Sequence, residues 1–530
     1  MISESVSVEP LDVPVEQTED ELELTLEPDE RWWGGAVADG LRMPYGDGSF
    51  ARDLSGPVWQ EDGTSVSNQS SPLLISTRGR LVWSDRPFSF SFRDGVLRAS
   101  GQRILVGRGG GTLREAYRSG VRRFFPASGG TPARELFTGP QYNTWIEMPY
   151  TPTQESVLRF ADEIVGTGMP PGVLMIDDNW SPDYGTWQFD RSRFPDPAAM
   201  VRRLHAQGFS VMLWIVPFVS PDSAVFRELE SQGLLLRDRH GDTAVRRWWN
   251  GFSALLDLTH PAAVSWLTDR LDALCSETGV DGFKFDGADP SDYRADDRTA
   301  GSAEPVDHTE AWARIGLRYP FNEYRACWRM GGRPLAQRLA DKPPLWGKTG
   351  IESLIPEMLA QGMIGHPFSC PDMIGGGEIK AMSAQGAVDQ EFFVRYAQIA
   401  ALSPMMQFSV APSRVLDGTH LAALRAALDV RASLLPLILR LVDEAGDTGE
   451  PVLRPMAYHA DGLDDVTDQF FLGPDLVVAP VTTKGAAERS VALPAGRWRG
   501  DDGTVFEGPA VVGVRCDLTR IPRFERLPDA

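Results

Sequence analysis

Short apolar runs in this 530-residue sequence repeatedly end in a side chain able to do chemistry. Val173-Leu174-Met175-Ile176 closes on Asp177 and Asp178, Val211-Met212-Leu213 on Trp214, and Gly282-Phe283 on Lys284 and Asp286. Leu335 to Leu339 is followed by Asp341, and the run near Ile364 by Asp372. Any one of these acids could serve only as a helix N-cap, because Asp accepts well from the first free backbone amides. As a set, several carboxylates among aromatic rings suit acetal chemistry: one carboxylate stabilises a developing oxocarbenium ion and another protonates the leaving oxygen. The seven histidines form no HxH or HxxxH pair, which argues against a metal-dependent hydrolase. Asp177-Asp178 could hold a hard cation through oxygen, but the expectation is a site with neither metal nor cofactor.

Lys284 precedes Asp286 by two residues, so on a strand both side chains share one face, which in a barrel is the interior. An interior Lys needs an anionic neighbour. Pairing with Asp286 would keep that acid ionised as a nucleophile; a structural salt bridge plugging the barrel is the alternative. Trp180, Trp187, Trp214, Trp248, Trp249 and Trp346 fall in loops or strand ends of the same region. Such rings either pack in the core or stack on the apolar C–H faces of a sugar.

These side chains need a scaffold that brings strand ends together. Across residues 136–412, apolar runs of strand length alternate with amphipathic segments of helix length, the pattern of a (β/α)8 TIM barrel. The strands are expected at Thr144 to Glu147, Val173 to Asp177, Val211 to Val216, Gly282 to Asp286, Tyr324 to Trp328, Leu335 to Leu339, Met363 to Pro367 and Met405 to Phe408. Helices include Thr153 to Gly166, Ala198 to Gln207, Ala262 to Thr278 and Thr349 to Ala360. Residues 1–30 read as an acidic tail with an edge strand near Leu22 to Leu26. Residues 31–135 read as an N-terminal β-sandwich, 413–445 as a helical connection and 446–530 as a C-terminal β-sandwich. Trp32-Trp33-Gly34-Gly35 is a candidate loop toward the barrel mouth, or a domain-packing element.

With 42% hydrophobic and 24% charged residues the chain has an ordinary globular composition. A formal charge of -21 disfavours nucleic acid and anionic membranes as partners. The expected partner is a small oligosaccharide or glycoside, and self-association into a homo-oligomer is left open. Cys275, Cys327, Cys370 and Cys516 form no CxxC pair and read as free thiols. The first residues lack the basic start and apolar run of a secretion signal, and no stretch reaches about 18 apolar residues, so a cytoplasmic location is expected.

Several ordered segments, from about Trp32 to the C-terminus, resemble glycoside hydrolase family 31, a retaining family of α-glucosidases, α-xylosidases and α-galactosidases. They are Trp214-Ile215-Val216-Pro217-Phe218, Trp249-Asn250-Gly251, Gly279-Val280-Asp281-Gly282-Phe283-Lys284-Phe285-Asp286, Pro371-Asp372-Met373-Ile374-Gly375-Gly376, Met406-Gln407-Phe408-Ser409 and Asp475-Leu476-Val477-Val478-Ala479-Pro480-Val481. The resemblance implies Asp286 as nucleophile, Asp341 as acid/base and Asp177 as ligand of the far sugar hydroxyls. It also implies Arg338 and Asp372 completing the pocket, with Trp214 and Trp249 lining it. From their strand-end and loop positions, Asp178, Trp180 and Lys284 are expected beside the substrate.

Two departures stand out: Ala340-Asp341-Lys342 replaces the family's Gly-Asp-Asn, and Cys370 stands before Pro371-Asp372 where many members carry His. With Asn143-Thr144-Trp145-Ile146-Glu147 and Ile176-Asp177-Asp178, they resemble the branch containing the myogenesis-regulating glycosidase and bacterial relatives. That branch includes α-galactosidase activity, and the resemblance therefore implies a neutral hexose, galactose or glucose. The loop from Asp178 to Trp187 holds no Arg or Lys for a sulfonated sugar. A transglycosylase using the same two acids and a noncatalytic sugar-binding derivative of the fold are the alternatives.

Overall fold

In the computed structural model, residues 17–46, 48–56, 58–59, 65–66, 69–379 and 388–528 are described. The apolar runs become very short parallel strands. Val173–Ile176 and Gly282–Phe285 are buried along their whole length, as strands must be when helices cover one face and side chains fill the other. Parallel registers run Gln141↔Val173, Leu174↔Val211, Met212↔Gly282 and Gly282↔Phe321. They continue through Tyr324↔Gln337 and Gln337↔Ser369, and Gln141↔Gln407 closes the ring.

The curled sheet has nine strands for eight barrel positions, because the seventh position is broken in two. Ser369–Cys370 pairs with the sixth strand and Met373–Ile374 with the eighth, leaving Pro371-Asp372 as the break. Asp372 there has φ 58°, a left-handed backbone that costs a non-glycine residue energy and is held by its surroundings.

Helix starts follow local chemistry. Thr153 caps Gln154–Gly166 in a capping box with Ser156. His260 caps Pro261–Thr278, which carries Pro at its start and left-handed Gly279 at its end.

Three expected strands differ from the structure. Thr144 to Glu147 is one helical turn, begun where the Asn143 side chain accepts from the Trp145 amide, and the strand before it is Gln141–Asn143. Met363 is the last residue of helix Ile351–Met363, so the strand expected at Met363 to Pro367 lies later, at Ser369. Tyr324 to Trp328 divides: Phe321–Tyr324 stays in the barrel, while Cys327–Trp328 leaves it and pairs with Gln69 and Ser70 of the N-terminal sheet.

That N-terminal sheet has eight strands. The strand expected near Leu22 to Leu26 in the acidic tail is Gln17–Thr25, which pairs antiparallel with Val96–Arg108; residues 1–16 lie outside the described residues. Trp32 and Trp33 are buried in the sheet's own core rather than reaching the barrel mouth. At the other end, helix Gly418–Thr448 leads into a six-stranded antiparallel sheet. All four cysteines are free thiols, and among the described residues no helix is long and apolar enough to cross a membrane.

Candidate active site

A cavity of about 300 Å³ opens where the barrel strands end. Asp286 lies at its floor, one residue beyond the fourth strand, Gly282–Phe285. Its Oδ2 accepts from the Trp214 indole at 2.8 Å; its Oδ1 accepts from Arg325 Nε at 2.8 Å and from the Gly287 amide at 2.9 Å. The turn that returns this amide has φ 67° at Gly287, whose missing Cβ would meet the Phe218 ring at 3.0 Å. Burial alone would raise the Asp286 pKa, but Arg325, Lys284, Arg338 and the Trp214 hydrogen bond outweigh it and hold this acid well below the usual carboxylate range. Asp286 is thus an ionised, oriented carboxylate at neutral pH.

Lys284 does project to the same interior, yet its ammonium donates to Asp177 Oδ2 at 2.7 Å, not to Asp286. The expected Lys284–Asp286 pairing is replaced by Arg325–Asp286, and Lys284 acts on Asp286 through space. The Thr144 hydroxyl accepts from the Asp177 amide at 2.9 Å, fixing the strand end that carries this acid. Next to it, Asp178 is pushed up to about 7 by burial and by the Asp177 charge. It accepts from Asn250 Nδ2 at 2.5 Å and from the Tyr184 hydroxyl at 3.3 Å. The cavity therefore offers hydroxyl groups an acceptor at Asp177, paired with Lys284, and, below about pH 7, a neutral carboxyl at Asp178.

Asp341 lines the cavity with its side chain 36% exposed, so its carboxyl is open to a bound ligand and to water. Arg338 and Asp372, expected in the pocket, are not on its wall: they are 1% and 0% exposed and lie behind Asp341. The Arg338 guanidinium donates to Asp341 Oδ1 at 2.8 Å, to Glu323 at 3.2 Å and to Asp372. Asp372 Oδ2 in turn accepts from the Lys342 amide at 2.7 Å, pinning the segment that follows Asp341.

Of the six tryptophans expected near the site, Trp214 and Trp249 line the cavity. Trp249 is 47% exposed and carries the Arg325 guanidinium over its ring, 5.3 Å from the centroid. Trp180 is buried instead: its indole donates to the Trp214 carbonyl at 2.7 Å, so it supports the wall without reaching a ligand. Trp187 and Trp248 are likewise buried, and Trp346 packs against Phe392.

Arg325, Trp145 and Tyr150 line the cavity and were not foreseen. Arg325 obeys the strand-end rule, standing directly after Phe321–Tyr324; reading that strand through to Trp328 hid it. Trp145 was hidden in the same way by the strand expected over Thr144 to Glu147. Gln69, from the N-terminal sheet, was also missed. Its Nε2 donates to the backbone carbonyls of both Arg325, at 2.7 Å, and Arg338, at 2.8 Å, while its Oε1 accepts from Gln361 at 2.9 Å. One buried amide thus ties together the two arginines that hold Asp286 and Asp341.

Residues 138–337 match the family model described as the Glycosyl hydrolases family 31 TIM-barrel domain, and residues 449–527 the one for the Glycosyl hydrolase family 31 C-terminal domain. The chain belongs to glycosyl hydrolase family 31. Among family 31 relatives, it is 37% identical to the Myogenesis-regulating glycosidase of Mus musculus over 76% of this chain and 58% of that protein. It is 26% identical to an alpha-xylosidase of Lactiplantibacillus pentosus over 85% of this chain and 62% of that protein. The family 31 fold extends to a dextranase of Flavobacterium johnsoniae complexed with isomaltotriose: TM-score 0.82 at 20% identity, covering 96% of this chain and 66% of that one. The chain thus spans about three fifths of the length of the curated relatives named here.

Proposed function

We propose that this family 31 protein is a retaining α-glycosidase that removes a terminal, non-reducing, α-linked neutral hexose, with galactose preferred to glucose. The observation that carries the reading is the unlike environment of two carboxylates on one cavity: Asp286, buried and held ionised by Arg325 and Trp214, and Asp341, partly open to solvent. In the first step an Asp286 oxygen bonds to the anomeric carbon as the glycosidic C–O bond breaks, and the Asp341 proton passes to the departing oxygen. In the second, Asp341 takes a proton from water, whose oxygen displaces Asp286 and restores the original configuration. Retention requires the two carboxyl groups to stand about 5 to 5.5 Å apart, leaving no room for water between Asp286 and the sugar.

Neutrality of the sugar follows from the charges on the wall. Five acidic side chains (Asp177, Asp178, Asp286, Asp341, Glu378) face two basic ones, Lys284 and Arg325, so acids outnumber cations even with Asp178 and Asp341 protonated. Both cations are engaged by Asp177, Asp286 and Asp289. An anionic substituent would meet net repulsion there. The preference for galactose rests on the branch that the sequence resembles.

A second reading is transglycosylation by the same pair, favoured by the half-exposed ring of Trp249 and by Tyr150, 41% exposed, which together offer a platform for a sugar acceptor at the rim. The test is a panel of p-nitrophenyl α-glycosides, run on wild type and Asp286→Ala with the anomer of the first-formed sugar read by NMR. Turnover of an α-hexoside with the α-anomer released first, lost in Asp286→Ala, is the expected result. A β-anomer, or full activity in Asp286→Ala, overturns it. Saturating acceptor sugar added to the same reaction distinguishes transfer from hydrolysis.

A further inference from the structure

The two acids that share Arg338 are placed like one titrating unit. A single guanidinium nitrogen, Nη1, bonds both Asp341 Oδ1 and Asp372 Oδ1. A Cβ added to Gly377 would lie 3.0 Å from the Asp372 oxygen and 3.1 Å from the Asp341 oxygen, so both carboxylates crowd one point that only a glycine leaves open. Asp372 is fully buried and is aimed there by the break in the seventh strand, its left-handed backbone held by the Asp372 amide bonding the Cys370 carbonyl at 2.9 Å.

We propose that Asp372 is a positioning residue for the proton of Asp341: through Arg338 the two carboxylates hold one proton in common, keeping Asp341 able to act as an acid at neutral pH. The inference rests on Asp341 being the acid/base of the proposed reaction. Arg338 by itself would hold a lone Asp341 ionised and unable to protonate a leaving oxygen. A second carboxylate on the same nitrogen divides that positive charge and repels the fully ionised pair, so one proton comes off late. Burial, with the Asp341 charge, raises Asp372 to about 7, in the same direction.

The other charges facing the pair are Arg325, which feels Asp341, and Glu323 and Asp286, which feel Arg338. The Lys342 ammonium is turned away to Glu357. Cys370 and Tyr396 flank Asp372, and burial pushes both up, so they stay neutral. Among the described residues no other cation contacts Asp372, so it offsets Arg338 together with Glu323 and Asp341.

The experiment labels carboxyls with a water-soluble carbodiimide and reads Asp341 by peptide mass spectrometry as a function of pH. The reagent takes protonated, accessible carboxyls; Asp341 is 36% exposed on its side chain, whereas Asp372 is 0% exposed. Asn at position 372 imitates the protonated acid, so Asp341 then titrates alone against Arg338, in the lower of the two steps. In Asp372→Asn the midpoint for labelling Asp341 should fall by about one pH unit or more. In Arg338→Gln it should rise with or without Asp372, so the matter is decided by Asp372→Asn or, if that variant does not fold, by Asp372→Ser, for which the same fall is expected. Unchanged midpoints, or a rise in Asp372→Asn, overturn the inference. Labelling needs no turnover, so failure here is distinct from failure of the glycosidase reading, which the p-nitrophenyl panel reports.

Discussion

Asp286 and Asp178 lie on one cavity with their ionisation pushed in opposite directions, and their partners explain the difference. Asp286 collects a cation, an indole and a backbone amide, which favour its charge. Asp178 collects burial and the charge of Asp177, which oppose its own. Such separation assigns different work to chemically similar groups. A raised folded pKa binds a proton more tightly than the unfolded chain does. The stabilisation from Asp178 is therefore complete below the unfolded value of about 4 and is lost as pH rises through about 7. Asp178→Asn keeps the shape without the charge and should raise stability by about 1–3 kcal/mol above pH 7, with little gain near pH 4. Thermal unfolding across that range checks it; a gain that shrinks as pH rises contradicts the assignment. The strand-end rule picked out Asp177, Asp178, Trp214, Asp286 and Asp341 in the sequence, and all five line the cavity. It could not tell lining from support: Asp372 sits behind Asp341, as does Arg338, expected from the family resemblance, and Trp180, expected from the aromatic set, sits behind Trp214, because depth depends on packing between strands distant in sequence.

The elements around the site are short, and their shortness limited what periodicity could reveal. Barrel strands such as Gln337–Arg338 and Gln407–Phe408 have two residues each, too few for a hydrophobic period, and are defined by parallel neighbours instead. Longer signals were legible: the capped helices Gln154–Gly166 and Pro261–Thr278 begin within a residue of expectation. The strand expected from Tyr324 to Trp328 concealed a domain junction, since Cys327–Trp328 joins the N-terminal sheet and so fixes the turn carrying Arg325. Gln69 strengthens that junction by donating to the carbonyls of Arg325 and Arg338. Gln69→Leu leaves those buried acceptors without a side-chain donor, at a cost of about 1–3 kcal/mol. Because both arginines loosen together, kcat should fall roughly 10-fold or more, with a smaller change in KM. Steady-state kinetics and thermal unfolding measure both; lost stability with kcat unchanged would reduce Gln69 to a purely structural residue.

At the scale of the whole molecule, the charge of -21 and the acidic cavity act in the same sense on a substrate. An α-glycoside bearing a carboxylate or sulfonate should show kcat/KM lower by about tenfold or more than its neutral counterpart at low ionic strength, and the gap should narrow with added salt. Equal rates at low salt would remove the electrostatic argument for a neutral hexose. The three-part organisation was legible from composition and period, and the broken seventh strand was not, because it was expected upstream at Met363 to Pro367 and each of its halves is only two residues long. The central claim is that Asp286 forms a covalent bond to the sugar. It is tested most directly by incubating the protein with 5-fluoro-α-D-galactosyl fluoride, and with its gluco counterpart, and mapping the adduct by mass spectrometry. One fluorosugar on the peptide containing Asp286, absent in Asp286→Ala, is the predicted result. An adduct on another carboxylate, or turnover of these fluorides through no adduct and with inverted product, would contradict it.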